Sequence, residues 1–148
     1  MRQPLTILLL GGLALGASGV AAQSARGIAG VYAVRRVVTS STCEGTLVGA
    51  VRANVFMISS PGPGEIAVVV SGDRRFRELR GTMTEGTLRL AGSDGEDGTI
   101  AVSLTAGTDG VLAGSETVSR VERNGPCEIM RAVTATPLGT AAGATRPR

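Results

Sequence analysis

Thr99-Ile100-Ala101-Val102-Ser103-Leu104-Thr105 decides the fold. Ile100, Val102 and Leu104 fall on one side of an extended chain and Thr99, Ala101, Ser103 and Thr105 on the other, the period of two of a half-buried strand. Working outward, Ile66, Val68 and Val70 repeat the pattern, and so do Leu88 and Leu90. Between such runs lie turn clusters, among them Ser60-Pro61-Gly62-Pro63-Gly64, Thr84-Glu85-Gly86, Thr108-Asp109-Gly110 and Asn124-Gly125-Pro126. Gly, Pro, Asn and Asp supply the backbone angles that turns need. No stretch after residue 22 keeps a helical apolar period for three turns without a Gly, which argues against any long helix.

Counting gives eight runs, 28–42, 47–59, 65–71, 76–85, 87–92, 98–106, 111–123 and 127–136. Short turns join each to the next, so neighbours pair antiparallel. Phase slips in the longer runs predict bulges. A meander of this kind leaves two open edges unless the sheet closes on itself.

The two cysteines bear on closure. Cys43 follows the first run and Cys127 begins the last. In an oxidising compartment they have only each other to pair with, and a disulfide needs their Cα atoms about 4.4–6.8 Å apart. The expected fold is therefore all-β, an eight-stranded antiparallel up-and-down barrel with one disulfide; the alternative is a two-sheet β-sandwich, which could also bring these ends together. The bridge would close a loop of about 85 residues, worth roughly 4–5 kcal/mol by chain entropy. A zinc site is the rival reading, and two sulfurs without His serve it poorly.

Export is expected from residues 1–22, which read as a signal peptide. Arg2 precedes the apolar stretch Leu5 to Leu15, and Val20-Ala21-Ala22 offers small residues for cleavage before Gln23. The alternative, a retained membrane anchor, has a marginal apolar length. The expected organisation is a signal peptide over 1–22, a β-barrel domain over 23–136 and a flexible tail over 137–148, with the mature protein periplasmic or extracellular and without a membrane span.

Composition excludes more functions than it selects. The 148 residues include no His and no Trp, and the 15 basic residues, all Arg, face 12 acidic ones for a net charge of +3. The Arg usage reads as a GC-rich bacterial coding bias. Without His or Lys, no Ser or Thr has its usual activating base. Three aromatics and a weak positive balance offer nucleic acid no stacking platform. No catalytic residue, metal site or cofactor is expected, and the protein is read as a non-enzyme.

Ile28-Ala29-Gly30-Val31-Tyr32 resembles the Gly-x-Trp opening of the first strand in small secreted barrels of the lipocalin and avidin type, with Tyr32 where those carry Trp. The resemblance is mainly architectural. It implies a small apolar ligand in the barrel mouth, and a last-strand Arg packed over the first-strand aromatic. The nearest candidate is Arg131. With Cys43 opposite Cys127 it falls opposite Thr39, roughly 23 Å along the strand from Tyr32 and too far to pack there.

Two groups of candidate site residues follow. Val68, Val70, Leu88, Leu90, Ile100, Val102 and Leu104 are expected to line the barrel, either around a cavity or as a filled core. Arg74, Arg75, Arg77 and Arg80 form the densest charge feature and are candidates for anion contact, against the reading of a solvated turn entering a strand. Ser93-Asp94-Gly95-Glu96-Asp97-Gly98 holds three carboxylates, read as a solvated hairpin turn rather than a calcium loop. The expected function is a binding module holding a small apolar ligand; the alternative is an envelope protein-interaction or inhibitor module acting through loops and the Arg74–Arg80 cluster. A cavity favours the first, and a filled interior with an exposed patch favours the second.

Overall fold

The computed structural model describes residues 25–72, 77–95 and 98–139. The expected signal peptide lies outside them, as do residues 140–148 of the expected tail. One turn of 3-10 helix (Ala25–Ile28) leads into β1 (Gly30–Ser41), β2 (Val51–Ser59), β3 (Glu65–Ser71), β4 (Arg77–Thr84), β5 (Thr87–Ser93), β6 (Thr99–Ala106), β7 (Leu112–Glu122) and β8 (Gly125–Pro137). The strands pair in sequence order, all antiparallel, and β8 returns to β1 to close the barrel. The sandwich alternative is thereby excluded. Among the described residues no helix is long and apolar enough to cross a membrane.

The seam between β1 and β8 runs from Tyr32 opposite Pro137 to Ser41 opposite Ile129. Its register slips once, between Val38 and Ser40, leaving Thr39 as the extra residue. Arg131 consequently stands opposite Val38 rather than Thr39. The Cys43–Cys127 disulfide forms just past the end of this seam, with a Cα separation of 4.9 Å.

Two further departures have local causes. The run expected from residue 47 starts as a strand only at Val51. Gly49 has φ of 86°, its amide donates back to the Val38 carbonyl at 2.8 Å, and the Ala50 amide donates to the Leu47 carbonyl at 3.1 Å, so the chain turns before it can extend. At the other end β8 reaches Pro137, and the Leu138 amide donates to the Val31 carbonyl at 2.9 Å.

Closure also depends on bare backbone at two bends. A Cβ on Gly81 would lie 1.7 Å from the Arg89 carbonyl oxygen, and one on Gly114 would lie 2.0 Å from that of Ser103. Glycine lets β4 onto β5 and β6 onto β7 where the sheet curls.

An even strand count gives the barrel two unlike rims. The 3-10 turn, the turns after β2, β4 and β6, and the end of β8 lie at one, here the terminal rim. The connections after β1, β3, β5 and β7 lie at the other, the distal rim. The terminal rim is plugged: Ile28 is buried, and its carbonyl accepts a 2.9 Å hydrogen bond from the Tyr32 hydroxyl. Burial raises the Tyr32 pKa above its ordinary value.

Candidate functional site

The seven aliphatic residues expected to line the barrel all face inward and are buried. Val68, Leu88 and Leu104, with Phe56 and Leu79 beside them in the core, have zero exposure. A residue bordering a void large enough for water would show surface to it, so these five border none. The interior around them is filled.

The barrel's interior also carries a polar cluster that sequence reasoning did not single out. Glu116 on β7 is fully buried between two guanidinium groups. Arg131 Nη1 donates to its Oε1 at 2.5 Å, and Arg36 Nε lies 3.2 Å from its Oε2. Arg36 Nη1 also donates to Asn54 Oδ1 at 2.7 Å, and its Cζ stands 5.3 Å from the Phe56 ring centroid. The side chains thus come from β1, β2, β7 and β8, on both sides of the seam. The signal was available: Val34 and Val38 set an inward phase on β1, and Arg36 falls on it. Glu116 shares the phase of Val118, and Arg131 that of Ile129 and Val133. A charged residue on an apolar phase needs a partner inside. The last-strand Arg of the resemblance is therefore engaged with Glu116.

Charge is also buried at the distal rim. Asp94, expected in a solvated turn, has zero exposure. It accepts the Gly98 amide at 3.1 Å and pairs with Arg120. This ties the β5–β6 turn down onto β7. Glu96 and Asp97 lie outside the described residues. The loop after β1 is held next to the β7–β8 turn: the Glu44 amide donates to Glu122 Oε2 at 3.1 Å, and the Asn124 amide group donates to the Glu44 carboxylate. Cys43, Cys127 and Glu122 offer atoms within 4.8 Å of one another, but both sulfurs are spent in the disulfide and leave no thiolate for a metal.

Apolar side chains stand exposed among these polar groups. Leu47 is 76% exposed and Val48 67%, and Val51 and Val121 also stand out into solvent. An open cleft of about 450 Å³ at the same rim takes in Val121 and is lined also by Thr42, Thr99, Ser119, Pro126 and Cys127 among others.

The arginine group is divided. Arg74 and Arg75 lie outside the described residues. Arg77 is half-buried, and its Nε is buried without a hydrogen-bond partner among the described residues. Arg80 is exposed and pairs with Glu78 on the same strand at 2.6 Å. Three residues apart on β4, Arg77 and Arg80 point to opposite faces of the sheet. No family model matches the chain, and neither a curated protein nor a solved structure matches it.

Proposed function

We propose that this protein is an exported, non-enzymatic binding module that engages another protein of the cell envelope through its distal rim. The observation that carries this reading is the contrast between the interior and that rim. The centre of the barrel is filled, whereas Leu47, Val48, Val51 and Val121 stand exposed toward the distal end; Val31, Met57 and Leu138 form a less exposed set at the terminal rim. Exposed apolar side chains, with Leu47 and Val48 adjacent on one loop, are what a protein interface uses. A loop tied by a disulfide and by Glu44, Glu122 and Asn124 presents them with little ordering left to lose on binding. Export is supported by the signal-like segment 1–22 and by the disulfide. Kinship with lipocalin and avidin barrels is supported by the closed eight-stranded architecture and the Gly30-Val31-Tyr32 opening.

The test compares the wild-type protein with a Leu47→Asp/Val48→Asp variant in affinity capture from host envelope extracts. Circular dichroism checks that the variant keeps its sheet. A partner retained by the wild type and lost by the variant supports the reading. Equal capture by both refutes the rim assignment. Native mass spectrometry of the same preparation provides the second arm: a lipid or metabolite retained by every molecule would return the reading to a ligand inside the barrel.

A further inference from the structure

The Cys43–Cys127 bridge lies beyond the seam it was expected to close. Backbone pairing joins β1 to β8 as far as Ser41 opposite Ile129. Past that point the Thr42 amide donates to the Glu128 carbonyl, and the Glu128 amide donates to Thr42 Oγ1, each at 2.9 Å. The cylinder is thus closed before the chain reaches the first sulfur. Cys43 instead opens the segment that carries Leu47 and Val48. Between Cys43 and Val51 the described ties besides the bridge are two contacts between Cys43 and Ser41, the two polar contacts of Glu44, the Ala50 amide on the Leu47 carbonyl, the Gly49 and Ala50 links to Val38, and the packing of Cys43 against the core. All but the last are hydrogen bonds at a solvent-exposed edge, the kind that open most readily.

We infer that the disulfide is a redox-sensitive latch on the rim loop 43–50, whose reduction frees the loop while the barrel stays closed. Of the two cysteines, Cys127 is the one that borders the open cleft at the rim, and both sulfurs sit in buried surroundings until the edge opens. The reductant is a dithiol. One of its thiolates attacks Cys127 Sγ, the S–S electron pair leaves on Cys43, and that thiolate takes up a proton. The reductant's second thiol, as its thiolate, then displaces Cys127 from the mixed disulfide, and Cys127 is protonated in turn. The reductant ends as a disulfide, and the protein has gained two electrons and two protons. The inference rests on the proposed rim function only for its consequence, that a loosened loop binds its partner less well.

Hydrogen exchange followed by mass spectrometry tests it on the full protein, oxidised and after reduction with a dithiol at neutral pH. In the reduced protein the amides of Cys43, Glu44 and Ala50 should exchange about tenfold faster or more and approach unprotected rates, while those of β1 and β8 along the seam keep clear protection, lowered only by the stability that the cross-link no longer adds. A Cys43→Ser/Cys127→Ser variant should reproduce the pattern without reductant. Loss of protection across all the strands would overturn the inference, because the bridge would then be holding the barrel. An unchanged loop would overturn it as well. Neither readout involves a partner, so failed capture with a loosened loop sinks the rim function alone, and successful capture with an unchanged loop sinks the latch alone.

Discussion

Glu116→Gln isolates the buried charge cluster. Glutamine keeps the volume of glutamate but removes the charge and replaces one acceptor oxygen with a donor NH2. In the wild-type protein the carboxylate has zero exposure, with Arg131 Nη1 at 2.5 Å and Arg36 Nε at 3.2 Å. Each pair of unit charges about 4 Å apart is worth roughly 4 kcal/mol at the effective dielectric that suits protein sites. Glutamine forfeits most of that for both arginines and sets an NH2 against one guanidinium. Breaking a buried ion pair from one side costs about 3–5 kcal/mol in measured cases, and that range is the expectation here. For a barrel of this size it lowers the melting temperature by roughly 12–20 °C. The assay is thermal and urea unfolding followed by circular dichroism, with an unchanged urea slope to show that the cost is in stability. Replacing the whole cluster, as Arg36→Met/Asn54→Leu/Glu116→Leu/Arg131→Met, should recover most of the lost stability, because no buried charge or amide is left unpaired. A Glu116→Gln cost below about 1 kcal/mol would refute the reasoning, since the two guanidinium groups would not then depend on the carboxylate.

Two further outcomes follow from single positions. Tyr32 is the only tyrosine, and the chain has no Trp, Lys or His, so ultraviolet titration of its phenol is unobstructed; the midpoint should lie above the ordinary 10.0. A folded pKa above the unfolded one means that Tyr32 contributes stability below pH about 10 and loses it as pH rises toward the folded value, so wild-type stability should fall there and Tyr32→Phe should not show this loss; a midpoint at or below 10 would contradict its burial. Gly81→Ala drives a Cβ into the Arg89 carbonyl and should cost more than about 3 kcal/mol or prevent folding, whereas Gly27→Ala, with nothing within 4 Å of the new methyl, should be close to neutral; equal melting temperatures would show that the β4–β5 approach is not tight.

Much of this architecture was written in the residue order. Strand positions followed from alternation such as Ile100-Ala101-Val102-Ser103-Leu104, and strand order followed from short connections rich in Gly and Pro. Cys43 and Cys127 added the one long-range constraint, and it was enough to favour a closed sheet over an open one. What escaped depended on neighbours in space. Leu47 and Val48 carry strand-like side chains, but the turn at Gly49 decides their conformation through bonds to β1. A bulge in the first long run was expected from its phase slips, but its place at Thr39 answers to β8, which lies some ninety residues away in the chain. Asp94 looks like a turn carboxylate until Arg120 is brought over it from β7. The interior cluster was half legible: Arg36, Glu116 and Arg131 each break an apolar phase, but their mutual pairing follows only from the closed ladder.

Eight strands running alternately up and down return the described chain to the rim where β1 begins, so Ala25 and Gly139 both belong to the end closed by Ile28. A fluorescent reporter, purification handle or solid support joined directly at Ala25 or Gly139 would therefore grip the molecule by its base. The Leu47–Val48 edge would stay turned outward, and a cargo protein fused to one end would leave the opposite face free to meet its target.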